Sequence, residues 1–396
     1  MMSVLIGALG ILIVLIIAFL LSNDKKNINY KSIAIMVTIQ VILGAFLLGT
    51  SVGKKVIESI TNVFTKILSF GNEGIAFVFG NQLLDEGVFF VQTLAMIVFV
   101  SALLSILNYT KILPLAIKYI GGLVSKVTGL PKIESFVATN AMVFGDTTAI
   151  IAVKDHIGKL DKNRLFIVTT SSLVSVSCSI LGAYMMMVPA EYVLVALPLN
   201  VFSGLIVSSI VCPVKLEKDA KEDEIDIKTS VEESTLFEAI GNGTLMGGRV
   251  ALIVGAMLIT YVGLLALVNG VLDGLIGTDL QTILGYIMYP VAFLMGIPVS
   301  ELLTAGGIMG TKLVANEFVA MLDLMPLIPT LTEKTVGIVT AFLISFANFS
   351  SVGIVIGAIQ AINGEKAKEV AAFGLKMLLV ATMGSILTGT IVGLFL

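Results

Sequence analysis

Stretches of about 20 apolar residues recur along the whole chain, and each is long enough to cross the ~30 Å hydrocarbon core of a bilayer as a helix. Eight stand out: Met2–Leu21, Ser32–Val52, Gly87–Leu107, Leu165–Ala190, Tyr192–Cys212, Val250–Val268, Thr335–Ile362 and Ala371–Leu396. A water-soluble fold is excluded. Only 13% of the residues are charged and 57% are hydrophobic, whereas a globular surface needs about 25% charge. Mean hydropathy is +1.04. The chain reads as an all-α polytopic membrane protein, multi-pass in a cell (plasma) membrane.

Five other segments are apolar but interrupted: Val56–Phe70, Ile112–Val127, Ile133–Ile157, Leu280–Ile297 and Val299–Leu322. Basic residues orient the spans. Lysines follow spans one, three, five and seven, and Lys154, Lys159, Lys162 and Arg164 precede span four. Eight crossings put all of these on one side, taken as cytoplasmic, with both termini outside. Lys54, Lys55 and Lys66 fall on the other side, in an amphipathic segment (Val56–Phe70) expected to lie along the interface. The connector Lys215–Glu233 carries eight acids against four lysines and reads as a solvated cytoplasmic loop. The retained first span lacks the basic start and small-residue cleavage site of a signal peptide. Formal charge is −3, which gives no reason to expect a nucleic-acid partner, and one histidine and two cysteines cannot build a histidine metal centre or a disulfide framework.

The halves resemble each other. GLPKIES (Gly129–Ser135) matches GIPVSEL (Gly296–Leu302), placing Glu134 on Glu301 at an offset of 167, and Phe166–Gly182 matches Gly337–Gly353 at an offset of 171. The first unit starts on the cytoplasmic side and the second outside, so the repeats are inverted. That arrangement marks transporters whose site lies at the repeat interface near the midplane. The interrupted segments Ile133–Ile157 and Val299–Leu322 are expected to be two opposed re-entrant hairpins, their turns at Gly145–Thr148 and at Gly306, Gly307, Gly310 and Thr311. Irregular backbone at membrane depth survives only when covered by protein or lining a wet cavity. The expected division is 1–110 N-terminal scaffold helices, 111–214 first repeat, 215–235 cytoplasmic acidic loop, 236–270 scaffold span six and 271–396 second repeat.

Polar residues inside these apolar runs are the candidate site. A carboxylate at the membrane centre costs roughly 2.5–3.5 kcal/mol on insertion scales, so it normally marks function. Asp146, flanked by Thr147 and Thr148, sits in the first turn, as a helix cap, a ligand or both. Glu317 lies in KLVANEFVA, where Lys312 five residues earlier could pair with it. Facing a cavity, its carboxylate suits two vicinal hydroxyls, the demand a ribose makes. SFANFSS (Ser345–Ser351) breaks span seven. Asn348 and Ser351 are three apart, hence on one helical face, and Phe346 and Phe349 could wall a ring.

The segments FGDTTAIIAVKDHIGKLDKNRLFIV, SVSCSILGAYM, KLVANEFVA and SFANFSSVGI resemble the concentrative nucleoside transporter family, most of all its bacterial nucleoside permease branch. The resemblance implies an ion-coupled nucleoside symporter, a homotrimer whose central scaffold holds three separate transport domains moving as elevators. It implies ribose binding by Glu317, Asn348 and Ser351, and base binding by Asp146, Thr147, Thr148, Ile180 and Phe346. Two departures carry expectations of their own. The family's turn is commonly Gly-Gln-Thr-Glu or Gly-Gln-Ser-Glu, and here it is GDTT. An ionised Asp only accepts hydrogen bonds, which suits guanine N–H groups and suits uracil carbonyls poorly, so a purine preference is expected. Sodium-coupled members carry Asn four residues before the turn glycine, where this chain has Ala141 with Asn140 one position off. Proton coupling, with Asp146 or Glu317 as carrier and no cofactor, is therefore expected over sodium. The alternatives are sodium-coupled nucleoside uptake, or a transporter of the same fold for a nucleobase or other small polar metabolite. An intramembrane enzyme would need a nucleophile–base pair or metal ligands that the sequence does not offer.

Overall fold

The computed structural model describes residues 2–214 and 233–396, and helices are the only regular structure among them. The chain opens with α1 (Met2–Leu20), α2 (Tyr30–Gly49), the long amphipathic α3 (Ser51–Phe79), α4 (Asn81–Asp85) and α5 (Met96–Tyr109). The first repeat follows as α6 (Ile112–Thr128), α7 (Lys132–Phe144), α8 (Asp146–Ile151), α9 (Lys154–Ile157), α10 (Lys162–Leu173), α11 (Cys178–Met187) and α12 (Ala190–Val211). After the acidic connector, α13 (Leu236–Ile276) runs for 41 residues, about 60 Å at the helical rise. The second repeat is α14 (Leu280–Leu294), α15 (Leu302–Val314), α16 (Glu317–Leu324), α17 (Glu333–Leu343), α18 (Phe349–Ile362), α19 (Gly364–Ala372) and α20 (Gly374–Leu394).

Apart from the short α9 in the first and α19 in the second, both repeats use one element order: a helix, two short helices that fold back on each other (α7 with α8, α15 with α16), a span broken in the middle (α10/α11, α17/α18) and a continuous span (α12, α20). The breaks have local causes. Gly145 takes φ 85°, ψ 172°, a region essentially closed to residues with a Cβ. Each of the other restarts has a polar cap: Ser177 accepts from Ser179 N, Asn316 from Val319 N and Asn348 from Ser351 N. Such side chains satisfy backbone donors that a helix start leaves open. Ser177 and Asn348 stand at matching positions of the repeat, so the two breaks coincide in register.

The two acids matched by the repeat also do the same job. Glu134 receives Arg164 through two bonds, 2.6 Å from Nε and 3.0 Å from Nη2. Glu301 receives Thr332 N at 3.0 Å and Thr332 Oγ1 at 2.8 Å. Each ties the start of a folded-back pair to the start of the broken span that follows it.

Burial separates two kinds of span. The stretches 162–187, 190–211 and 374–394 are 83% buried, while the most apolar window of α13 is only 17% buried. The first broken span, α17 and the continuous spans α12 and α20 therefore form the inner bundle, with α18 at its edge, where only Ser351, Val355, Ala358 and Ile359 are buried. The polypeptide leaves α13, packed on α5, with most of its apolar surface outward. Its inner face is a glycine stripe: a methyl group at Gly243 would lie 2.6 Å from Ser105 Cβ, and one at Gly247 would lie 2.8 Å from the Ile97 carbonyl oxygen.

Several expectations need correction. Span one is α1, a 19-residue apolar helix, and span seven is divided at Ile344–Asn348 as span four is divided between α10 and α11. Gly306, Gly307, Gly310 and Thr311 do not form the second turn. They lie inside α15, where the glycines let it press on α14, and a methyl group on Gly306 would meet the Gly285 carbonyl oxygen at 2.7 Å. The turn itself is Ala315–Asn316. The amphipathic segment read at Val56–Phe70 is part of a 29-residue helix. The scaffold span six read as 236–270 lies within α13, which continues to Ile276. Of the acidic connector, Lys215–Glu232 lies outside the described residues.

Candidate functional site

Glu317 is the first residue of α16, set directly after its cap Asn316. Its carboxylate is 5% exposed and receives two donors from two other elements. Tyr184 of α11 donates through its hydroxyl to Oε1 at 2.8 Å, and Asn348 donates through Nδ2 to Oε2 at 3.0 Å. The asparagine is oriented by its own capping role. Its Oδ1 accepts from Ser351 N at 2.9 Å and from Ser350 Oγ at 2.7 Å, which leaves only the amide N–H groups for the glutamate. The second folded-back pair, span four and span seven thus meet at one carboxylate. Two oxygens offer about four acceptor positions, so two remain for a further partner. Ser351 is buried at 4% exposure and its hydroxyl takes no partner among the described residues.

A second group of residues forms around Gly145. A Cβ there would lie 3.1 Å from Ser177 Cβ and 3.7 Å from the Phe346 ring, so the tip between α7 and α8 rests against both breaks. Phe346 N donates to Ser175 O at 3.2 Å, joining the two broken spans through their irregular backbone. Asp146 opens α8 and is 7% exposed. Its Oδ1 accepts from Thr147 N at 2.6 Å and Thr147 Oγ1 at 3.2 Å, while Oδ2 takes no hydrogen bond among the described residues. Asp146 is the first residue of α8 and not its cap, which is Gly145 with no side-chain bond, so the helix-cap expectation is not met and the ligand expectation stays open. Ile180 is 8% exposed on α11, one turn before Tyr184.

Thr148, Ser177 and Ser179 border a cavity of about 420 Å³ that runs between the first repeat and the peripheral helices α5 and α13. Its other walls include Asn140, Phe144, Asn108 and Asn242, and it extends to Lys154, Asp155 and Glu233. The hydroxyl-bearing end belongs to the tip and the span-four break. The charged end belongs to the connectors read from the sequence as cytoplasmic.

The structure departs from the sequence reading at three points. Asn348 and Ser351 do not share a helical face; the asparagine precedes α18 and caps it. Phe349 is 56% exposed and points away from the cluster. Lys312 does not pair with Glu317 but donates to Phe342 O and Ser345 Oγ, both at 2.5 Å. Tyr184 was missed. The signal available was its place four residues after Ile180, on the same face of a helix. Asn200 was missed too: its amide donates to the Ile344 carbonyl in the span-seven break, and its Oδ1 accepts from Thr388 at 2.7 Å.

Three comparisons bear on this arrangement. Residues 192–393 match the family model described as Na+ dependent nucleoside transporter C-terminus, 9–82 match its N-terminal counterpart, and 90–191 match a nucleoside recognition (Gate) model. The purine nucleoside transport protein NupG of Bacillus subtilis is 38% identical over the whole of both chains. The nucleoside permease NupC of Helicobacter pylori is 34% identical over all of this chain and 98% of its own. Among solved structures, CNTnw in an inward-facing substrate-bound state superposes with a TM-score of 0.94 at 32% identity, covering 100% of this chain and 98% of the other.

Proposed function

The chain belongs to the nucleoside transporter family, and from that premise we propose that it carries nucleosides across the plasma membrane as an ion-coupled symporter. It is a membrane transporter and not an enzyme, as its family and relatives are. The observation that carries the substrate reading is Glu317. Its carboxylate is held by Tyr184 and Asn348, with acceptor positions left for a pair of hydroxyls. In this reading Glu317, Asn348 and Ser351 hold the ribose. Asp146, Thr147, Thr148, Ile180 and Phe346 hold the base.

Purines are the preferred class. The free Oδ2 of Asp146 is an acceptor and nothing else when ionised, which matches the ring N–H and amino group of guanine. The name of the NupG relative points the same way. The coupling ion is the proton. The family model bears a sodium-dependent description, but Ala141 has no side-chain oxygen to give a cation and is fully buried. The assembly is a homotrimer built on α5 and α13, and each inner bundle moves against that scaffold with α7–α8 and α15–α16 as re-entrant hairpins. The cavity between α5, α13 and the first repeat is the route to the cytoplasm, with both termini outside.

The test is competition. Unlabelled guanosine and 2′,3′-dideoxyguanosine are compared as inhibitors of labelled guanosine uptake. Losing hydrogen bonds to a carboxylate removes about 1.5–3 kcal/mol each, so the dideoxy compound should be weaker by tenfold or more. Equal inhibition would refute the ribose role of Glu317.

A further inference from the structure

Lys312 is fully buried, and the transport reading gives it no role. Its three N–H groups meet three oxygens: Phe342 O and Ser345 Oγ at 2.5 Å and Ser385 Oγ at 3.3 Å. The hydroxyls pass their own protons onward. Ser345 and Ser385 lie 2.6 Å apart, and Ser385 Oγ donates to Ala381 O at 3.3 Å. The three oxygens match the three N–H groups of an ammonium, whereas a neutral amine would bring only two donors and leave one contact unmade. The Phe342 ring face lies 4.3 Å from the same nitrogen, which also favours a cation.

The location matters as much as the count. Phe342 is in the last turn of α17, where carbonyls lack helical partners and the backbone dipole is negative. Lys312 fills that end and Asn200 takes the next free carbonyl, that of Ile344. Two residues from Ile344 the chain reaches Phe346, and after two more Asn348. In the first repeat, aligned on the hairpin tips Gly145 and Ala315, the position matching Lys312 is Met142, which brings no charge.

We infer that Lys312 is a positioning residue, a tethered monovalent cation that holds the span-seven break so that Asn348 and Glu317 stay in register, and that shortening it leaves a site for a small free ammonium ion. The positioning half rests on the nucleoside reading. The cation site does not, so the two can fail separately.

The cation site is tested on purified Lys312→Ala protein by thermal unfolding in propylammonium chloride, with 1-propanol and choline chloride as controls. Propylammonium should raise the melting temperature of Lys312→Ala by several degrees and leave the unaltered chain and Lys312→Met unmoved. An equal rise with propanol, or none with propylammonium, would overturn the site. Positioning is tested by guanosine uptake in Lys312→Met and in Ser345→Ala/Ser385→Ala, the second of which keeps the charge and removes two acceptors. Both should raise KM at least tenfold and narrow the gap between guanosine and its 2′,3′-dideoxy form. A lowered Vmax with unchanged KM, or an unchanged dideoxy ratio, would reduce Lys312 to a structural side chain. Absence of guanosine uptake by the unaltered chain would count against the nucleoside reading and leave the melting result standing.

Discussion

A carboxylate buried at 5% exposure survives in Glu317 because two neighbours were placed to meet it, one by helix geometry and one by a cap. Removing either neighbour should show in binding. Tyr184→Phe keeps the ring contact with Phe318, whose centroid lies 4.9 Å away, and deletes only the hydroxyl. A hydrogen bond to a charged group is worth about 1.5–3 kcal/mol, so the nucleoside KM is expected to rise about tenfold or more with transport retained. An unchanged KM would show that Asn348 alone aims the glutamate. Asp146 makes a different prediction. Asp146→Asn replaces a pure acceptor by a group that also donates, so uridine should gain relative to guanosine, measured as a guanosine-to-uridine uptake ratio at least fivefold lower. The carboxylates at 146 and 317 were legible in the sequence because charge stands out against hydrocarbon. Tyr184 was not, because a lone tyrosine in an apolar run looks like any other large side chain until its partner is known.

Helix ends and glycines set the limits of what the sequence revealed at the scale of elements. The irregular segments were visible as polar clusters in apolar runs, and the repeat placed Ser177 on Asn348 before any coordinate did. Gly306, Gly307 and Gly310 were misread as a turn, since glycine serves both positive φ and close helix contact and the sequence does not say which. Only Gly145 among these takes positive φ. The length of α13 was hidden for a related reason: its apolar run carries no cap or breaker where the bilayer ends. The stripe on α13 gives a sharp comparison between neighbours. A methyl group at Gly247 meets backbone of α5 at 2.8 Å, whereas one at Gly248 meets nothing within 4 Å. Gly247→Ala should therefore lower the melting temperature in detergent, by overpacking worth about 1–3 kcal/mol. Gly248→Ala should leave it level or raise it, since alanine outranks glycine in a helix by about 1 kcal/mol. Equal effects would mean that α5 and α13 do not pack in this register.

At the scale of the whole molecule, a tightly buried inner bundle stands beside helices with wide outward apolar surface, and the cavity of about 420 Å³ lies where the two meet. Substrate bound between the first tip and the two breaks would leave along that boundary if the inner bundle moves as a unit. Driving such movement uphill needs an ion. Asp146 at the first tip and Glu317 at the start of α16 are buried carboxylates, whereas Ala141 brings only a methyl group, and the proposed coupling to protons rests on that contrast. The most direct measurement is uptake of labelled guanosine and uridine, side by side, into sodium-free proteoliposomes with an acid-outside pH gradient. The account predicts guanosine accumulation that a protonophore abolishes, with little uridine entering. Guanosine uptake that requires sodium and ignores the pH gradient, or uridine entering as well as guanosine, would contradict it.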